Sequence, residues 1–205
     1  MRNGLTLLGL AVVVTFAAVA LAEDPAKGNK YVGAEKCKTC HGAKAKGDMY
    51  SAWKAMGHSK AYETLASDEA KKIGKEKGVD NPQTSDKCLK CHQTAFGVAA
   101  DGLDKKFDPK LGVQCESCHG PGGNHVAARM AAEDDEEVAD TEIVKAPPAA
   151  TCKTCHNEES PSFKPFCYKF SASKIRHLDP RKKRTEAELK AMNCQGDCGV
   201  AHDKK

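Results

Sequence analysis

Four segments of the chain repeat one spacing, Cys-x-x-Cys-His: Cys37, Cys40 and His41; Cys88, Cys91 and His92; Cys115, Cys118 and His119; Cys152, Cys155 and His156. Two thiols three positions apart with an imidazole beside the second suit one reaction above others. The thiols add across the two vinyl groups of a porphyrin, and the histidine coordinates the iron from the same side. A lone Cys-x-x-Cys describes half of a zinc site or a redox dithiol equally well, but neither requires histidine at the next position in every copy. The sequence therefore predicts four covalently bound haem c groups.

Four haems have eight axial positions, and the motif histidines fill four. The chain holds four other histidines, His58, His125, His177 and His202. An iron with two histidine ligands is saturated and suits electron transfer, whereas one with a single histidine keeps an open face for a small ligand. His58 lies 17 residues past His41, roughly 25 Å along a helix, too far to return over its own haem. His125 follows His119 through Gly120-Pro121-Gly122-Gly123, a turn that keeps it on the proximal side of the third haem. Both are expected to serve other haems, and His177 to be a further distal ligand. His202 lies three residues before the C-terminal Lys205, where chain ends fray, and is the weakest candidate. Met49, Met56, Met130 and Met192 read as packing rather than thioether ligands.

These groups must be carried by a small scaffold. Residues 1–22 read as an export signal: Arg2, an apolar run from Leu5 to Ala20, and Ala20-Leu21-Ala22 ahead of Glu23. An uncleaved membrane anchor is the competing reading of the same stretch. Cleavage leaves residues 23–205 as one tetrahaem domain, periplasmic or otherwise exported. With 5% aromatic residues, the chain has little material for an apolar core, so the porphyrins are expected to be the core. The fold class that follows is mainly α, a compact haem-stacked multihaem cytochrome with short helices and long loops. A helix is expected from Asp48 to about Ser67, with Trp53, Met56, Ala61 and Leu65 near one face. A second helix covers Asp68 to Lys77 and stops at Gly78. Residues 93–114 read as loop or a short hairpin, and 131–150 as an exposed connector. Phe170 to His177 reads as helical, and Thr185-x-x-Glu188 as the capping box of a terminal helix.

The formal charge of +4 falls to +3 when Arg2 leaves with the signal. Each ferric haem with both propionates ionised adds about −1, so the holoprotein is near neutral and no nucleic-acid partner is implied. What remains is asymmetry, an acidic run Glu133–Glu137 and a basic run Arg181–Arg184. Cys194 and Cys198 are most simply a small disulfide in an oxidising compartment, which leaves Cys167 as an odd thiol or as a partner for one of them.

Several blocks together resemble the tetrahaem cytochrome c-554 family. They are Cys37–His41 followed by Trp53 and Ala55-Met56-Gly57-His58-Ser59-Lys60-Ala61; Cys88–His92 with Ala95-Phe96-Gly97; Gly112–Gly122 around Cys115-Glu116-Ser117-Cys118-His119-Gly120-Pro121-Gly122; and Cys152–His156 with Asn157. The match covers most of residues 31–177; the tail 178–205 diverges from it. The resemblance implies a mainly helical periplasmic electron carrier with haems in stacked and perpendicular pairs. It also implies that His58 ligates the fourth haem, His125 the first and His177 the third, with the second haem five-coordinate. The family's hydroxylamine oxidoreductase partner does not carry over to a chain with a different tail.

The leading expectation is thus a diffusible electron carrier between redox protein partners, without catalytic residues of its own and without stable membrane insertion once the signal is cleaved. Three other readings remain open: reduction of nitric oxide or a related nitrogen oxide at haem 2, a membrane-anchored quinol dehydrogenase, and an extracellular filament subunit.

Overall fold

The computed structural model describes residues 28–132, 142–165 and 167–192. Ten short helices follow one another among these residues: α1 Ala34–His41, α2 Met49–Lys54, α3 Ala61–Thr64, α4 Asp68–Glu76, α5 Asp86–His92, α6 Cys115–His119, α7 Gly123–Ala131, α8 Ala149–Lys153, α9 Tyr168–Ile175 and α10 Glu186–Met192. The only β pairing among them is an isolated parallel bridge between Tyr31 and Leu103. No helix of the described residues is long and apolar enough to cross a membrane.

Three of the four motifs close a helix, since α1, α5 and α6 each end on the motif histidine. In the fourth, α8 ends at Lys153 and His156 follows in a turn, its N–H donating to Cys152 O. A helical turn brings the two cysteines to one side of the chain, which is what attachment to one porphyrin requires.

The long helix expected over 48–67 is instead three pieces. Met56 is extended (φ −86°, ψ 159°) between α2 and a 3-10 turn at Gly57–Lys60. Ser59 Oγ donates toward Lys54 O and Met56 O at 2.9 Å each, satisfying carbonyls that the interrupted helix leaves open. The break turns His58 toward the interior, where its carbonyl accepts from Val113 N at 3.0 Å. By contrast α4 forms as its sequence indicates: Ser67 Oγ accepts from Ala70 N, Asp68 and Glu69 occupy the first turn, and Gly78 leaves the helix at φ +64°. The terminal capping box also forms, with Thr185 N donating to Glu188 Oε2 at 2.7 Å and Glu188 N to Thr185 Oγ1 at 3.2 Å. Helix α9 is shifted two residues earlier than its expected range and leaves His177 just beyond its end. Residues 93–114 form no hairpin; they carry two 3-10 turns, at Ala100–Gly102 and Pro109–Leu111.

The interior has few apolar side chains. Among the described residues, those buried are Val32, Ala34, Trp53, Leu65, Val79 and Cys167. Beside them Thr94, Gln114 and Glu116 are almost fully enclosed, so polar clamps as well as apolar packing join the segments.

Cys167 is disulfide-bonded rather than an odd thiol, and no disulfide joins any of the eight motif cysteines. Its partner is therefore none of the motif cysteines. Cys194, Cys198 and His202 lie outside the described residues, as do the residues 1–22 read as a signal.

Candidate functional site

The eight motif thiols do not lie in four isolated places. The thiols of Cys37 and Cys115 are close enough to shift each other's ionisation, as are those of Cys91 and Cys155. Burial and neighbouring Cys155 push the Cys91 thiol up to about 11. Burial and then Cys152, Cys115 and Cys155 push Cys118 up to about 11. Motif 1 thus meets motif 3, and motif 2 meets motif 4. An ion pair between Lys90 and Glu159 adds a second tie between motifs 2 and 4.

The histidines come in pairs. His41 faces His125 with ring centroids 6.2 Å apart, His58 faces His156 at 6.0 Å, and His119 faces His177 at 5.8 Å. Each pair joins a motif histidine to one distant in sequence. Two imidazoles bound through Nε2 to one metal, with metal–nitrogen bonds of about 2 Å, put their ring centroids roughly 6 Å apart. The three separations match that span, and they are too long for ring stacking in contact. Burial holds His41, His58, His119 and His156 below the ordinary histidine range, with the facing imidazole adding to the effect for His41, His58 and His119. The neutral form that results is the one that ligates a metal.

The other ring nitrogens orient these imidazoles. Nδ1 of His119 lies 2.5 Å from Val144 O, Nδ1 of His177 lies 3.2 Å from Ile175 O, and Nδ1 of His92 lies 2.6 Å from Ala61 O. A backbone carbonyl at Nδ1 fixes the proton there and leaves the Nε2 lone pair for a metal. His125 Nδ1 has the Glu142 carboxylate 3.5 Å away. Among the described residues no histidine faces His92, and no cluster of three or more metal-ligating side chains occurs. Beside His156 a cavity of about 530 Å³ is lined by Lys153, Asn157, Glu158, Glu159 and Phe163, within the roughly 300–1,000 Å³ typical of cofactor sites.

Glu116 sets the frame around motifs 1 and 3. It sits inside the third motif, yet its Oε1 accepts from Val32 N (2.8 Å) and Gly122 N (2.7 Å), and its Oε2 from Gly33 N (2.7 Å). Burial pushes this carboxyl above the ordinary glutamate range, and the three N–H donors oppose that rise. Gln114 works alongside: Oε1 accepts from Ala34 N at 2.8 Å and Nε2 donates to Asp108 O at 2.9 Å. Together they fasten the start of α1 to α6, where Cys37 meets Cys115. Gly112, at φ +75° and ψ −140°, passes so close to the His58 carbonyl that a Cβ there would lie 2.8 Å from His58 O. The sequence pointed to neither Glu142 nor Thr94, and showed Gln114 only as part of the block around the third motif. It presented Glu116 only as a spacer in a motif, although an acidic residue at an x position between two buried thiols was the signal available.

Residues 36–120 match the family described as cytochrome c554 and c-prime. Through this segment the chain is similar to the cytochrome c-554 family. One relative is a cytochrome c-554 of Nitrosomonas europaea, 40% identical over 99 residues that make up 46% of this chain and 40% of that protein. Another is a multiheme cytochrome MtrA of Shewanella baltica, 37% identical over 54 residues, 23% of this chain and 16% of that one. The chain thus spans less than half the length of either relative it matches. No solved structure matches it. What the matched segments share with these cytochromes is the spacing of the Cys-x-x-Cys-His motifs and the residues around them.

Proposed function

We propose that this chain, similar to the cytochrome c-554 family over residues 36–120, is an exported, periplasmic multihaem electron carrier with four haem c groups, of which three would be held between two histidines and one by His92 alone. The observation that carries the reading is the set of three ring pairs at 5.8–6.2 Å, each spanning the room one iron needs. When bound, haem c supplies a one-electron Fe(III)/Fe(II) couple. Cys37, Cys40, Cys88, Cys91, Cys115, Cys118, Cys152 and Cys155 fix the four groups as thioethers. His41 with His125, His119 with His177, and His156 with His58 would hold three of the irons. The thiol contacts support attachment points 1 beside 3, 2 beside 4 and 3 near 4, so haems held there would be close enough to exchange electrons within the protein. Intact-mass measurement tests the stoichiometry: four haems per chain support the reading, and fewer in fully matured protein overturn it. N-terminal sequencing of the same sample tests export, with cleavage after Ala22 expected.

One observation favours a second activity. His92 is oriented by Ala61 O and faces no histidine among the described residues. With His92 as its histidine ligand, a haem held there would supply a site for nitric oxide or a related nitrogen oxide. Nitric oxide binding to one haem of the reduced protein, with the other three spectra unchanged, supports this reading. The quinol dehydrogenase alternative requires retention of residues 1–22 and fails if that segment is cleaved.

A further inference from the structure

The basic run Arg181–Arg184 lies in the part of the chain that diverges from the c-554 pattern, and neither the haem chemistry nor the clamps use it. In the fold it does not stand alone. A Cβ on Gly47 would lie 2.7 Å from Leu178 O and 3.2 Å from Pro180 Cδ, so the segment after His177 packs directly on the turn that follows α1. That turn carries Lys44 and Lys46. Lys46 is near enough to His41 to help hold its imidazole neutral. The turn at 179–184 is braced from within: Arg181 forms a fork with the Asp179 carboxylate, and Arg184 Nη1 donates to Asp179 O and Lys182 O at 3.0 Å each. The bracing leaves Lys182 and Lys183 exposed at its outer edge, as Lys44 is on the adjoining turn. Two basic stretches more than 130 residues apart in sequence therefore form one surface next to His41 and His177. Its six cations are offset by Asp48 and Asp179 within these two stretches, and by Glu188, which lies near Arg184.

We propose that this surface is the docking site for a redox protein with an acidic face, which exchanges electrons with the haems held by His41 and His177. The inference rests on the tetrahaem reading and adds an entry point to it. A compact field of one sign beside a redox centre raises encounter rates with an oppositely charged protein and orients it. The brace fixes the backbone that carries Lys182 and Lys183.

The test is stopped-flow reduction of the oxidised holoprotein by two donors, a reduced plant-type ferredoxin, which is acidic, and the neutral semiquinone of lumiflavin. With ferredoxin at low salt, the double variant Lys182→Glu/Lys183→Glu should react about tenfold more slowly than wild type and lose most of its salt dependence. Its lumiflavin rate should be unchanged. The variant Lys71→Glu/Lys72→Glu alters net charge equally on α4, away from this surface, and should change the ferredoxin rate far less. Equal slowing in the two variants would make the effect one of net charge and overturn the proposal. Parallel slowing with lumiflavin would mean that the lysines act on the haems themselves, and would overturn it too. The haem count of each variant, read by mass, reports separately on the tetrahaem reading.

Discussion

Replacing Glu116 should weaken the fold more than any exposed carboxylate would, because its two oxygens accept three buried backbone N–H groups at 2.7–2.8 Å. Glu116→Ala leaves all three donors without an acceptor. At about 1–3 kcal/mol for each unsatisfied buried donor, with some relief from entering water, the loss is roughly 3–6 kcal/mol. That is a large share of the roughly 5–15 kcal/mol that holds a domain folded. Glu116→Gln can keep its oxygen toward Val32 and Gly122 but presents an amide to Gly33, so about 1.5–3 kcal/mol is expected. Guanidinium unfolding of the oxidised holoprotein, followed by circular dichroism, reads this directly. With a slope of about 4 kcal/mol per M, the Gln variant should shift the midpoint down by roughly half a molar. The pH dependence adds a second check. Burial raises the folded carboxyl above the ordinary value of 4.5, so between 4.5 and the raised value the folded state binds more protons than the unfolded one. Stability contributed by Glu116 is therefore fully present below 4.5 and declines as pH rises through that window. The gap between wild type and Gln should narrow over the same range. A midpoint for Glu116→Ala within about 0.1 M of wild type would refute the reasoning.

Other perturbations act on the haem sites themselves. His58→Ala, His125→Ala and His177→Ala should each turn one low-spin haem high-spin, read by electronic absorption and magnetic resonance; a variant that keeps the wild-type signal removes that ligand from the set. Gly112→Ala places a Cβ 2.8 Å from His58 O in a backbone region open to glycine, at a cost of about 1–3 kcal/mol. It should therefore disturb the haem held by His156 while leaving the other three spectra intact. Cys115→Ala should lower the covalent haem count by mass and yield little folded protein, because a porphyrin that is part of the core is lost. Cys167→Ser should lower the unfolding free energy by about 2–4 kcal/mol, read from guanidinium unfolding, with no change in haem spectra, and reductant should have no further effect on that variant.

The motifs were legible because their chemistry dictates their spacing: two thiols, one turn and an imidazole admit little variation. Helix α4 and the Thr185–Glu188 cap were legible for a similar reason, since caps and end signals are local. The interrupted helix over 48–67 was not. Its apolar spacing suits a helix, but the break is made by Ser59 capturing two carbonyls and by Val113 drawing the His58 carbonyl inward, and that partner is 55 residues away. The roles of Glu116 and Gln114 escaped notice for the same reason. Their partners, at Val32, Gly33, Ala34 and Asp108, are set by tertiary contacts that no local pattern encodes. The disulfide at Cys167 was open because three leftover cysteines allow three pairings.

Electron paramagnetic resonance of the fully oxidised wild-type protein tests the central claim most directly. The account predicts three low-spin ferric haems, held by the pairs His41–His125, His58–His156 and His119–His177, and one high-spin haem held by His92. Four low-spin signals, with one turning high-spin in His202→Ala, would contradict it by closing the fourth site with the terminal histidine.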